Sequence, residues 1–295
     1  MTNRANFFTA LQQESPLQIV GVINALTAKL AQKNGFQSIY LSGAGVANTR
    51  GLPDLGLTSL NDVLYDIEQI TDACSLPLLV DVDTGWGSSL NIERTFRLVS
   101  KAGAMGAHIE DQKSFKRCGH RDGKQIISVA AMCERIDSAK QGLSHNPDFM
   151  LMARTDALMA ETEAETIERV IAYEKAGAKA LFLEAVKDLE QYQRFSRALT
   201  IPVLANITEF GKTPLYTVEQ LKSNGVKLVL YPLSAFRAMN QAADNIFAAI
   251  RQTGTQASVT EQMQTRDALY TILDYHTFED KLNQFLDKKE NQNDG

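Results

Sequence analysis

The chain has 295 residues, 44% of them hydrophobic and 22% charged, and a formal net charge of −5. That length and composition suit a soluble globular protein with a large core, and the acidic balance without any basic run argues against a nucleic-acid surface. No apolar run approaches the roughly 20 residues needed to span a bilayer, and the first residues lack the apolar core of a signal peptide. The three cysteines, Cys74, Cys118 and Cys133, have no metal-like spacing, and this points to a reducing cytoplasm.

In chain order, residues 3–14 read as an amphipathic helix stopped at Pro16. Residues 18–23 form a strand, and 25–33 a helix closed by Asn34-Gly35. A second strand, 38–42, runs into Gly43-Ala44-Gly45 and a long loop reaching Gly56. A helix capped by Thr58 or Ser59 follows and ends near Cys74. The third strand, 78–83, is Leu-Leu-Val-Asp-Val-Asp, so Asp81 and Asp83 leave an extended backbone on one face. Two like charges on one face repel, and a divalent cation would relieve them. Paired carboxylates with water suit Mg²⁺.

A helix over 91–101, a strand over 106–111 and a long loop over 112–127 come next. Ser128 caps a helix to about Gln141, and 148–154 is a strand ending in Arg154. The helix 163–175, the strand 180–184, the helix 188–199, the strand 202–206, the short helix 218–223, the strand 227–231 and the helix 234–251 complete the pattern. Lys-Ala-Gly-Ala recurs at Lys101 and Lys175, each time between a helix and a strand. Eight units of short apolar strand and helix predict an α/β fold, a closed (β/α)₈ barrel with its parallel sheet covered by helices. A doubly wound open sheet is the alternative, weakened because no Gly-x-Gly-x-x-Gly follows the first strand. The barrel is expected over residues 1–252. Residues 253–258 read as a linker, followed by additional helices over about 261–274 and 277–287 and a frayed polar tail from Lys288, so 253–295 forms a helical extension.

In such a barrel, chemistry collects at the carboxyl ends of the strands. Those ends carry Asn24, Ser42, Asp81, Asp83, Glu110, Asp111, Arg154, Asp156, Glu184, Asn206 and Tyr231. In the loop after the fourth strand, Lys116-Arg117-Cys118-Gly119-His120-Arg121 surrounds a thiol with positive charge, which favours the thiolate and suits a nucleophile or a proton donor. A solvated basic loop is the plainer alternative. Arg154 at the end of an apolar strand would hold a substrate carboxylate or form a salt bridge to Asp156 or Glu184. Asn206 and Thr208 would hold a second carboxylate or form a turn. His108, inside a strand, reads as a core histidine.

Lys116-Arg-Cys-Gly-His120, Tyr40-Leu-Ser-Gly43, Leu52-Pro-Asp-Leu-Gly56, Asp81-Val-Asp83, Met152-Ala-Arg-Thr-Asp156 and Asn206-Ile-Thr-Glu-Phe-Gly211 together resemble the isocitrate lyase and phosphoenolpyruvate mutase superfamily. So do residues 230–240 and Met263-Gln-Thr-Arg266. The cysteine motif is that of the lyase branch, and the resemblance spans residues 16–282. It implies a barrel whose last helix is exchanged between subunits, usually in a homotetramer. It implies Mg²⁺ held largely through water, with Asp81 and Asp83 nearest and Asp54, Glu110 and His108 around them. It also implies substrate contacts from Ser42, Gly43, Ala44, Cys118, Gly119, Arg154, Glu184, Asn206, Ile207, Thr208, Arg237 and Arg266. The expected reaction cleaves a carbon–carbon bond of a small tricarboxylate, with Cys118 as general acid, His120 beside it and Tyr40 as base. A lyase of the same class that releases glyoxylate, an α-keto acid enzyme on the same barrel, and a silent barrel that only binds a metabolite are the rival readings. Two departures stand out. Ala44 replaces an expected glycine, and Thr84-Gly85-Trp86 stands where an aliphatic residue and a phenylalanine are expected. The Ala44 methyl would tighten the pocket.

Overall fold

The computed structural model describes residues 5–113 and 125–293. The chain divides into two compact units, Met1–Arg237 and Ala238–Gly295.

The first unit is a closed barrel of eight parallel strands in sequence order. A short helix, α1 (Phe7–Gln13), precedes them, started where the Asn6 side chain accepts from Thr9 N at 2.9 Å. Then β1 (Leu17–Gly21), α2 (Ala25–Lys33), β2 (Ser38–Leu41), α3 (Gly43–Thr49), α4 (Leu60–Ala73), β3 (Leu78–Asp81), α5 (Ser89–Lys101) and β4 (Gly106–Glu110) follow. After them come α6 (Val129–Gly142), β5 (Met150–Thr155), α7 (Glu163–Ala176), β6 (Ala180–Leu183), α8 (Leu189–Ala198), β7 (Val203–Asn206), α9 (Val218–Ser223) and β8 (Leu228–Tyr231), and the first turn of α10 (Ser234–Thr253), the rest of which belongs to the second unit. Closure comes from β1 pairing with β8, Leu17 opposite Leu228 and Val20 opposite Tyr231. At that seam Gly21 has no substitute, because a Cβ there would lie 1.7 Å from the Pro232 carbonyl oxygen.

Two apolar layers hold the barrel. The larger lies between strands and helices and includes Ile67, Ile92, Phe96, Phe149, Tyr173 and Phe195. The smaller fills the interior with Leu17, Ile19, Leu79, Met150, Phe182 and Leu230, and Phe7 of α1 belongs to it. Alternate strand residues feed the two layers, which is why every strand reads as an almost unbroken apolar run. Helix starts follow local chemistry. Asn24, Ser59, Thr162 and Thr217 each make a reciprocal capping box with the third helical residue.

Three expectations need correction. Residues 43–49 are a helix, not the start of a loop; the small residues from Gly43 to Ala47 let it begin at the end of β2. The third strand ends at Asp81, and Asp83 has φ of 50°, so the two carboxylates do not share an extended strand face. The polar tail is helical as far as Asn293.

In the second unit, a 3-10 helix over Ala257–Gln262 overlaps only the last two residues of the expected linker, and α11 (Arg266–Leu273) and α12 (Tyr275–Asn293) follow. Asp274 turns the chain between them in the left-handed region, and Tyr270 stacks on Tyr275 at 4.1 Å. Along α10 and α11 no residue is buried. No helix among the described residues is long and apolar enough to cross a membrane.

Candidate active site

The acidic pair lies at the carboxyl end of β3, facing the start of α3 after β2. Asp81, the last residue of β3, accepts from Gly43 N at 3.2 Å and from Asp83 N at 3.0 Å. The left-handed turn at Asp83 brings its carboxylate back toward the first. A Cβ built on Gly43 would meet Asp81 Oδ2 at 3.0 Å and Asp83 Oδ1 at 3.1 Å. Two buried carboxylate oxygens therefore converge on one small space that only a glycine leaves open. Left-handed backbone at a non-glycine residue is costly and persists where surrounding structure enforces it. Here the Asp83 carbonyl is held by Glu110 N at 2.9 Å.

The pair fits a hard divalent cation. Its donors are anionic oxygens, and among the described residues no cluster of three or more His, Cys, Asp or Glu forms a full metal cage. A cation there would keep water ligands, which is the habit of Mg²⁺.

Behind the pair, His108 of β4 is fully buried, with Nδ1 3.8 Å from Asp81 Oδ1 and Nε2 2.9 Å from the Tyr40 hydroxyl. The core reading of His108 holds, and it links Asp81 to Tyr40. Burial pushes the Tyr40 phenol far above its ordinary range, and the negative charge of Asp81 adds to this. The resting side chain is therefore a phenol.

Arg154 of β5 lies among carboxylates from three strand ends. Glu110 Oε2 is 3.3 Å from Nη1, Asp156 Oδ2 is 3.2 Å from Nε, and Glu184 Oε2 is 3.3 Å from Nη2. Burial opposes its charge, but Asp156, Glu110, Glu184 and Asp81 outweigh that and hold the guanidinium protonated. The salt-bridge alternative drawn for Arg154 is thus present, to Asp156 and to Glu184 together. Glu184 also takes two long contacts from the Asn206 amide, at 3.4 and 3.5 Å. The Asn206 side-chain oxygen, Oδ1, is buried and has no hydrogen-bond partner among the described residues. Ile207 and Thr208 are buried beside it.

Ser42 and Gly43 are buried at the end of β2, and Ala44 is half-buried. Arg237, on the first turn of α10, is half-exposed, 3.6 Å from Glu209 and stacked over Phe210. Asp54 is half-buried in the loop between α3 and α4. Arg266 begins α11 in the second unit and is exposed. Cys118, Gly119 and His120 lie outside the described residues. Gln112 and Arg135 escaped the sequence reading of the site, which named Asp111 only as a strand end. Asp111 accepts from Tyr173 at 2.9 Å, from Thr155 at 2.6 Å and from Asp156 N at 2.9 Å. Burial, then the charge of Asp156, raises its carboxyl. Arg135 donates to the carbonyls of Glu110 and Gln112 at 2.7 and 2.9 Å. The adjacency of Asp111 and Gln112 to Glu110 was the one available signal.

A closed parallel barrel with a carboxylate pair, a buried arginine and an amide at its strand ends is the frame of an enzyme acting on small carboxylates. Comparison with known proteins narrows the class. The sequence matches the phosphoenolpyruvate phosphomutase family over residues 8–251. It is 55% identical over 278 residues to the 2-methylisocitrate lyase of Escherichia coli strain K12, covering 94% of each chain. It is 53% identical over 289 residues to that of Vibrio cholerae serotype O1, covering 96% of this chain and 94% of the other. Among solved structures, a 2,3-dimethylmalate lyase of the phosphoenolpyruvate mutase and isocitrate lyase superfamily superposes with a TM-score of 0.85. It is 31% identical over 93% of both chains. The chain belongs to the phosphoenolpyruvate phosphomutase family, within the phosphoenolpyruvate mutase and isocitrate lyase superfamily.

Proposed function

We propose that this chain is a carbon–carbon lyase that cleaves 2-methylisocitrate to pyruvate and succinate, the cleavage step of the methylcitrate cycle of propionate breakdown. The high identity to 2-methylisocitrate lyases over nearly the whole chain carries this reading. The convergent Asp81 and Asp83 oxygens beside the Arg154 cluster support it. Mg²⁺ dependence is general in the superfamily, and Asp81 and Asp83 are the residues that would hold the ion, with Glu110, His108 and Asp54 around them. When bound, Mg²⁺ supplies Lewis-acid polarisation of the hydroxyl and carboxylate of the pyruvate half.

The chain's own groups do the rest. Ser42, Gly43 and Ala44 line the end of β2, where the pyruvate half would bind. Arg154 holds negative charge on that half. Glu184, Asn206, Ile207, Thr208 and Arg237 receive the succinate half, where one well-placed donor is worth roughly 3 kcal/mol. A base takes the hydroxyl proton, the carbon–carbon electron pair moves to the succinate carbon, and the hydroxyl carbon becomes the pyruvate carbonyl. Cys118, with Gly119 and His120 beside it, protonates the new carbanion. Tyr40, a buried phenol, would serve as the base by passing its own proton to His108 Nε2, 2.9 Å away, as its oxygen takes the hydroxyl proton.

The second unit carries the proposal for assembly. Met239, Phe247 and Ile250 on α10, and Phe278, Leu282, Phe285 and Leu286 on α12, recur at helical spacing and are exposed. We infer a cytoplasmic homotetramer in which the region after the barrel, 253–295, packs on a neighbouring subunit. The test of the reaction is direct. With Mg²⁺ and 2-methylisocitrate the protein should release pyruvate, and with isocitrate far less glyoxylate. Glyoxylate as the faster product would overturn the substrate assignment. Cys118→Ser should still bind substrate and metal while losing most of its turnover. Normal turnover in that variant would remove the thiol from its role.

A further inference from the structure

Gln112 is almost fully buried, one residue beyond Asp111 at the end of β4. Its backbone pairs with Ile126 in an isolated antiparallel bridge. On either side Lys113 N donates to the Gln125 carbonyl at 2.8 Å, and Ile127 N to the Asp111 carbonyl at 2.8 Å. Arg135 of α6 donates to the carbonyls of Glu110 and Gln112, and Arg169 of α7 donates to that of Ile127 at 3.0 Å. The two ends of the stretch that contains Cys118 thus leave the barrel from a two-stranded neck fastened by two arginines. From that neck the Gln112 amide reaches Asp156 Oδ2 at 3.3 Å. The same carboxylate takes the Nε edge of Arg154, at 3.2 Å through Oδ2 and 3.4 Å through Oδ1. Asp156 is held a second time through its backbone, which donates to Asp111.

A guanidinium aimed at a substrate carboxylate must be fixed in its plane, and its planar fork lets one carboxylate on the Nε edge do so. Glu110 and Glu184 face the terminal nitrogens of Arg154 and balance charge, while among the described residues Asp156 is the carboxylate that takes Nε. We infer that Gln112 and Asp156 are positioning residues for the reaction. Gln112 fixes the Asp156 carboxylate from the loop neck, and Asp156 fixes the direction of Arg154. The inference rests on the reading of Arg154 as the arginine that holds the pyruvate half of the substrate. It ties the neck formed by 111–113 and 125–127 to the substrate arginine through one shared carboxylate.

The test uses the full-length Mg²⁺-loaded enzyme and Gln112→Met, which keeps side-chain length and removes the amide. Loss of alignment of the order of an ångström costs up to about 100-fold, so kcat should fall about 10- to 100-fold, with KM rising by a smaller factor. The calorimetric Kd for pyruvate with Mg²⁺ should rise in step with KM. In an Arg154→Lys background, Gln112→Met should cause no further loss, because the residue acts through the guanidinium. Wild-type kcat and pyruvate affinity in Gln112→Met, or the same fold-loss in the Arg154→Lys background, would overturn the inference. Should Gln112→Met fail to fold, Asp156→Asn, which keeps shape and removes charge, is held to the same expectations and the same two overturning results. If the wild type releases no pyruvate from 2-methylisocitrate, the functional reading fails instead. The pyruvate affinity of the variants then decides the positioning role on its own.

Discussion

At the mouth of the barrel Asp81, Asp83, Glu110, Arg154, Asp156 and Glu184 are buried, whereas in the second unit Phe247, Phe278 and Phe285 are each about two-thirds exposed. The first region hides charge and the second displays apolar rings. Each is unfavourable for a chain that functions alone. Buried ions cost several kcal/mol apiece unless they are paired and hydrogen-bonded. An exposed aromatic stripe forgoes roughly 1.5–3 kcal/mol per ring. The barrel mouth meets part of its cost internally, by setting three carboxylates around one guanidinium. The second unit has no such internal remedy along α10, where nothing is buried. On the proposed reading the two regions await different companions, a small anionic ligand with its cation in one case and a neighbouring subunit in the other.

The sharpest way to break that contrast is to neutralise the acidic pair. Asp81→Asn combined with Asp83→Asn should reduce kcat by about 1,000-fold or more, near 4 kcal/mol of transition-state stabilisation. The same variant should lose the rise in melting temperature that Mg²⁺ gives the wild type. Retained turnover would mean that the buried pair serves packing alone. Next in size is Arg154→Met, which leaves Glu110, Asp156 and Glu184 without their shared cation. Removing one partner of a buried ion cluster costs about 3–5 kcal/mol, to be read as a lower urea midpoint. An unchanged midpoint would show that the carboxylates are solvated after all.

The second region is probed by Phe278→Asp with Phe285→Asp. Light scattering after size exclusion should show a smaller species, with association weakened by about 3 kcal/mol or more from the two rings. An unchanged mass would detach the α12 stripe from assembly. The smallest effect belongs to Leu90→Asp on α5. Leu90 is 77% exposed but belongs to no stripe, so its stability should move by no more than about 0.5 kcal/mol. A large loss there would mean that exposure does not discriminate the α12 stripe from ordinary surface.

Much of the barrel was legible because its signals are local. Apolar runs of four to six residues, capping residues such as Ser59 and Ser128, and stops such as Asn34-Gly35 identify strand and helix without knowledge of the rest. The strand ends were legible too, since a polar residue closing an apolar run is visible in one dimension. Asp81, Asp83, Arg154, Glu184 and Asn206 were found this way. The loop drawn at Gly43-Ala44-Gly45 was misread because small residues signal turns in isolation. Here they serve a helix that starts against two carboxylates.

By itself the order of residues determined the eight strand–helix units, the charged strand ends and the family, because pattern and identity need no coordinates. Only the tertiary structure decided how those ends meet. The left-handed backbone at Asp83 turns its carboxylate toward Asp81, and the amide of Gln112 reaches a carboxylate 44 positions away. Such contacts are fixed by barrel closure and register, which bring distant strand ends into one layer. No local propensity encodes a distance between residues that meet only when the sheet has closed.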